Sequence, residues 1–262
     1  MRLHERNRDF AWSAAPAPYR RLSDEQVSQY NADGYFVFRQ AFTSSEIATV
    51  RDAIDPLEAE FEQMLRDRFD GQIFIAKADA ITFTTHLVTR SAALKEFSKH
   101  QVLRDICHDT MGSNARLYWD QAVYKKAHNP DEFPWHQDNG YTFVEPQQYL
   151  TCWIPLTDAT LDNGCPWVVP GVHRSGTLHH EVTPIGLACF ENPVDPVSIP
   201  VEVGDIAVFS SLTPHRTGPN RTGDTRKSYI LQYALDGATM YPLGDEPQLA
   251  NNPDRQYLVS EE

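Results

Sequence analysis

The chain has 262 residues, a formal charge of -13 and a pI near 5.2; so acidic a chain lacks the electrostatic footprint of a nucleic-acid binder, and an anionic membrane surface would repel it. Hydrophobic residues make up 41% and aromatics 11%, enough for a sizeable core, which excludes a disordered class. No window approaches ~18 uninterrupted apolar residues, so no membrane-spanning helix is expected.

Residues 1–21 read as an extended arm with a turn at Pro16 and Pro18. Its Arg-rich start carries Glu5 and Asp9 and no apolar run, so no signal peptide is expected. Ser23, with Gln26 three residues on, has the spacing of a capping box and predicts a helix closed by Asp33-Gly34. Tyr35 to Phe38 reads as a strand. A second amphipathic helix begins at Thr43 or Ser44, and Pro56 is expected to break or kink it. A third is expected over Ala92–Cys107. From Leu117 the texture changes to short apolar or alternating runs divided by Asn-Gly, Pro-Gly and Gly-Asp pairs. Many short strands with such turns suggest a sandwich or barrel. The Pro-rich run "FENPVDPVSIP" reads as a loop over its mouth. Cys107, Cys152, Cys165 and Cys189 show no paired metal spacing and read as free thiols of a reducing compartment, the cytoplasm. The expected organisation is a single domain. It comprises the arm 1–21, a mainly helical part 22–116, a β core 117–240 and a tail 241–262.

Within "EFPWHQDNGYTF", His136 and Asp138 are two apart. In a strand they would share a face and aim one nitrogen and one carboxylate oxygen at a common point. That is two thirds of the two-histidine, one-carboxylate set that holds non-haem Fe(II) and leaves open positions. His215, in "VFSSLTPHRTG", reads as the end of an apolar strand whose side chain could reach the barrel interior, and is the best third ligand. His173, His179 and His180 lie in "GVHRSGTLHHEV", which reads as a surface turn. His86, His100, His108 and His128 have no carboxylate at matching spacing. An open iron site needs a cosubstrate, and the far carboxylate of 2-oxoglutarate needs a cation, best supplied by arginine. Arg226 opens the strand "RKSYILQYAL", which is expected to run back beside His215.

With these residues placed, the sequence resembles the phytanoyl-CoA dioxygenase family of Fe(II)/2-oxoglutarate oxygenases. The matching pieces are "LSDEQVSQYNADGYFVFRQAF", "DQAVYKK", "FPWHQDNGY", "WIPLTDATLDNGCPWVVPGVHRSG", "GDIAVFSSLTPHRTGPN" and "TRKSYILQY", in the family's order over about residues 22–235. The resemblance implies an all-β core with α additions: a double-stranded β-helix, or cupin-like jelly roll, flanked by N-terminal helices. It implies His136, Asp138 and His215 as iron ligands and Arg226 as partner of the 2-oxoglutarate carboxylate. Thr217 would contact the same carboxylate, Trp153 would wall the cosubstrate pocket and Lys125 would reach the cosubstrate. Gln121, on the face of Lys125, would line the substrate side. Gln137, Asn139 and Tyr141, interleaved with and following the ligands, would border the substrate. The implied reaction uses Fe(II), 2-oxoglutarate and O2 to hydroxylate, or otherwise oxidise, a small molecule of specialised metabolism. Asp138 fills the position that halogenating relatives leave small, so halogenation is not expected. An aromatic rim of Tyr141, Phe143, Trp167 and Phe190 would suit an apolar or ring-bearing substrate. The competing expectation is a zinc-dependent or non-catalytic cupin-type barrel, which would not need Arg226.

Overall fold

The structure, a computed structural model, describes residues 1–15, 17–112 and 114–260. Pro16, half of the expected turn in the arm, lies outside the described residues. Helix α1 spans Asp24–Asp33, with both hydrogen bonds of the Ser23/Gln26 capping box formed. Helix α2, Ser44–Arg68, has the equivalent box at Thr43 and Glu46. Pro56 lies inside α2 without interrupting it, contrary to the sequence expectation. A proline removes one backbone donor; here the buried stripe of Ile47, Val50, Ile54 and Leu65 holds the helix on both sides of it. The expected third helix is two, α3 over Ala92–Phe97 and α4 over Gln101–Met111. The break is a capping event: the His100 ring accepts the Val102 N–H and starts α4 afresh.

An eight-stranded antiparallel sheet forms one wall of the molecule. Its order is Tyr35–Phe38, Ile206–Ser210, Leu150–Pro155, Arg226–Leu235, Ala115–Lys125, Ile81–Thr85, Ala76–Lys77 and Gln72–Ile73. A four-stranded antiparallel sheet opposes it, in the order Val197–Ser198, Pro166–Val168, His215–Thr217 and Phe133–His136. Together they make the double-stranded β-helix. The stretch 22–116 therefore carries four strands of the large sheet as well as four helices.

The central strands are buried on both faces, as sheets covered by helices are. Ile206 and Val208 pack in the cluster that contains the helices, whereas Ala207 and Phe209 pack between the sheets. The same alternation puts Cys152 and Leu231 outward and Trp153 and Ile230 inward. By this parity Thr151 and Gln232 share the inner faces of their strands, and so do Arg226 and Ser228. The arm is strapped to the barrel: Asn7 donates to the carbonyls of Ser175 and Thr177, and Trp12 packs edge-on against Tyr30 and His173.

Gly34 closes α1 in the left-handed region at φ +83, donating to the Tyr30 carbonyl at 2.9 Å. A Cβ there would meet Thr213 Oγ1 and, at 2.6 Å, His173 Nδ1. Gly34→Ala is expected to cost about 1–3 kcal/mol of stability through backbone strain and collision. A denaturant midpoint shifted downward at unchanged slope would show this, and an unmoved midpoint would contradict it.

Candidate active site

His136 ends its strand and His215 begins its own, and the two stand opposite each other in register. Their ring centroids are 4.1 Å apart. Asp138 lies beyond the strand and opens a single 3-10 turn, Asp138–Gly140, so the turn rather than strand alternation brings it in. Its Oδ1 is 3.9 Å from His136 Nε2 and 3.7 Å from His215 Nε2. One ligand atom from each of the three residues falls within 4.8 Å of the others. His136 Nδ1 donates to the Pro134 carbonyl at 2.8 Å and His215 Nδ1 to the Thr213 carbonyl at 3.0 Å. These bonds fix the tautomer that leaves each Nε2 lone pair free. Burial lowers the pKa of His136 to about 3 and of His215 to about 4, so both rings are neutral, as ligands must be. Asp138 Oδ2 accepts from Thr151 Oγ1 at 2.6 Å, and Gln232 Nε2 backs that hydroxyl at 3.4 Å. Two imidazoles and one carboxylate facing a cavity suit a divalent iron with open positions.

His215 does not end the apolar strand, as the sequence suggested. That strand, Ile206–Ser210, belongs to the large sheet; the chain then crosses to the small sheet, where His215 starts a new strand. Gln137 and Asn139, expected at the substrate, are fully buried and point elsewhere. Gln137 donates to the carbonyls of Gly176 and Leu212 and accepts from the Leu178 N–H. Asn139 bonds Thr177 Oγ1 and the Val144 N–H. With the flanking ligands turned inward, the residues between and after them are turned into the packing. His173 and His180 are not on a surface turn either. His173 is fully buried, and His180 Nε2 accepts the Gln137 N–H at 2.9 Å, holding the peptide between the two ligands.

Arg226 is 1% exposed. Its Nη1 donates to Ser228 Oγ at 2.8 Å, while Nε and Nη2 have no partner among the described residues. Burial pulls its pKa down to about 10, which leaves it a cation at neutral pH. Thr217, Trp153, Phe209 and Ile230 line one cavity with Arg226 and the three ligands, and the guanidinium lies 5.3 Å from the centre of the Trp153 ring. Its strand sits between Leu150–Pro155 and Ala115–Lys125, not beside that of His215, so the arginine reaches the site across the barrel interior. Lys125, directly opposite Arg226, does not line this cavity. Its amine donates to the carbonyls of Gly218 and Asp131, at 2.6 and 3.1 Å, and to Thr217 Oγ1 at 3.3 Å. With these acceptors it ties down the loop after Thr217 rather than offering a free donor to a cosubstrate. Burial and the neighbouring Arg226 pull its pKa down to about 7.

A larger cavity of about 430 Å³ opens over His136 and Asp138 and takes in Gln121 and Tyr141. Tyr141 stands edge-on to His136 at 5.4 Å, and its hydroxyl accepts the Leu187 N–H at 3.1 Å. The rest of the expected aromatic rim is elsewhere. Phe143 stacks on His4, Trp167 faces the Arg216 guanidinium, and Phe190 bridges to Trp135. Thr151 and Gln232 were missed by sequence reasoning; the usable signal was their inward parity, two residues from Trp153 and from Ile230 respectively.

The fold and this site define a 2-oxoglutarate-dependent non-haem iron oxygenase. The model of the phytanoyl-CoA dioxygenase family matches residues 30–228, and the chain belongs to that family. Methylphosphonate hydroxylase of Gimesia maris is 25% identical over 216 residues, covering 81% of this chain and 80% of the relative. A phytanoyl-CoA dioxygenase domain-containing protein 1 homolog of Dictyostelium discoideum is 26% identical over 256 residues, covering 81% and 91%. Among solved structures, the non-haem α-ketoglutarate-dependent carbocyclase SnoK from nogalamycin biosynthesis superposes with a TM-score of 0.70 at 21% identity. That superposition covers 84% of this chain and 87% of SnoK. No helix among the described residues is long and apolar enough to cross a membrane.

Thr151→Val keeps the shape at the carboxylate but removes its hydrogen bond. Losing such a bond to a metal ligand typically costs about 10- to 100-fold in metal affinity. Titration of the metal-free protein with Co(II), followed by its visible absorption, is expected to show a loss of that order. Unchanged affinity would mean that Thr151 does not orient Asp138.

Proposed function

We propose that the chain hydroxylates, or otherwise oxidises at an unactivated C–H bond, a small molecule of specialised metabolism. Fe(II) would be held by His136, Asp138 and His215, and the far carboxylate of 2-oxoglutarate by Arg226. The open Nε/Nη2 edge of a buried Arg226 carries this reading. Leaving a buried cation with unpaired donors is costly, and an incoming carboxylate that takes both donors removes the cost. When bound, the iron and 2-oxoglutarate supply the oxidising power: O2 is divided between succinate, released with CO2, and the substrate.

The chain's own residues do the rest. Two neutral imidazoles and a carboxylate turned by Thr151 would hold the metal. Arg226 and Thr217 fix the carboxylate end of the cosubstrate beside Trp153. The walls of Phe209, Ile230 and Trp153 keep water from that end. A zinc-dependent or non-catalytic barrel gives the open arginine edge nothing to do. The same reading takes residues 1–262 as one domain, supported by the arm's bonds to the loop at Ser175 and Thr177. Four unpaired cysteines favour a reducing compartment such as the cytoplasm.

The test is an anaerobic visible titration with Fe(II) and then 2-oxoglutarate. A charge-transfer band that needs both additions is expected. Arg226→Ala should weaken 2-oxoglutarate binding at least ~10-fold while iron still binds, since truncating one partner of a buried charge pair costs about 2–5 kcal/mol. Asp138→Ala should lose the iron itself. Undiminished 2-oxoglutarate affinity in Arg226→Ala would remove the arginine from this role.

A further inference from the structure

The substrate side of the site has a chemistry of its own. Its cavity of about 430 Å³ falls within the range of roughly 300–1,000 Å³ that takes drug-sized ligands. Phe61, Phe74, Phe83, Tyr118, Trp119 and Tyr141 bring aromatic rings to it from a helix, a hairpin, two strands and the loop after the ligands. The polar remainder is neutral: Gln121, Gln232, Thr85 and Thr142. Among the described residues no lysine or arginine lines it, and apart from tyrosines its only ionisable groups are His136 and Asp138.

The contrast with the neighbouring cavity decides what can enter. Where the barrel is built to meet an anion, it buries an arginine with an open edge. Where the substrate would sit, it provides no such group. Moving an anion out of water into an apolar site without a cation or full hydrogen bonding is strongly unfavourable. Methylphosphonate, for which one relative is named, would meet no lysine or arginine here.

Rings, by contrast, are well received, because aromatic walls favour offset and edge-on packing of planar groups. Trp119 is held in place for this. His86 packs edge-on against it at 4.3 Å, and Arg255, behind, donates to the His86 ring at 2.6 Å. Phe74, 58% exposed at the tip of the Gln72–Lys77 hairpin, makes the entrance apolar as well.

Three polar groups line both cavities: the candidate ligands His136 and Asp138, and Gln121. The Gln121 carbonyl accepts from Trp119 Nε1 at 3.3 Å, which fixes the amide, and its amide nitrogen has no partner among the described residues. We infer that the substrate is an uncharged, ring-bearing molecule with an oxygen acceptor, and that Gln121 sets its orientation by donating to that oxygen. This rests on the oxygenase reading for the chemistry performed, but the recognition itself needs neither iron nor turnover.

The test uses metal-free protein and probes of matched shape. Binding of 2-naphthyl acetate, 2-naphthyl phosphate, naphthalene and methylphosphonate would be followed by tryptophan fluorescence and by calorimetry. Saturable binding of 2-naphthyl acetate, at least ~10-fold tighter than its phosphate, is expected from the cost of the unpaired anion. Gln121→Leu should weaken the acetate about 3- to 10-fold, one neutral hydrogen bond, and leave naphthalene unchanged. The proposal is overturned if the phosphate or methylphosphonate binds as tightly as the acetate, or if the acetate does not bind saturably. Equal effects of Gln121→Leu on acetate and naphthalene would overturn the role of Gln121. None of these outcomes depends on the iron–cosubstrate absorption band, so failure here is distinct from failure of the oxygenase reading.

Discussion

The antiparallel pairing of Phe133–His136 with His215–Thr217 is the constraint on which the rest depends. It sets two imidazoles opposite one another, across residues far apart in the chain. The register must be kept, since a slip of one residue would turn His215 out of the interior. Much of the surrounding structure serves that register. Gln137 and Asn139 anchor the turn between the ligands to the loop at residues 176–178, and His180 holds its central peptide. Gly140 fits because the His180 ring occupies the space a side chain would need.

The large sheet handles two buried basic side chains in opposite ways, although they face each other in register. Lys125 is saturated by backbone carbonyls and a threonine hydroxyl, so its amine is committed to holding a loop. Arg226 is left with one edge open toward the ligand cluster. A lysine is a compact point charge that local carbonyls can surround, whereas a guanidinium is planar and keeps a free edge when the other is bound. That difference leaves one of the two with donors that have no partner among the described residues.

The barrel interior is thus divided. One end carries the buried arginine; the other is neutral and aromatic, with the Gln121 amide lining both. The second end also draws on α2 and the Gln72–Lys77 hairpin, which carry none of the candidate ligands. Substrate choice can therefore change there while the reaction machinery stays in place.

The sequence by itself determined the helix caps, the change to short strands after Leu117, and the candidate set of His136, Asp138, His215 and Arg226. These rest on local rules: cap spacing, turn pairs, and the few side chains that bind iron or a carboxylate. It did not show that Pro56 stays inside α2, nor that His100 divides the third helix, because packing and a side-chain cap outweigh propensity at both places. It read Lys125, Gln137 and Asn139 as groups of the site, and His173 and His180 as surface residues. Tertiary structure decided those five, since a polar side chain's role depends on which partners the fold places within about 3 Å of it. The aromatic wall was decided in the same way. Phe61, Phe74 and Trp119 lie on three separate elements, and only the closed barrel gives them a common face.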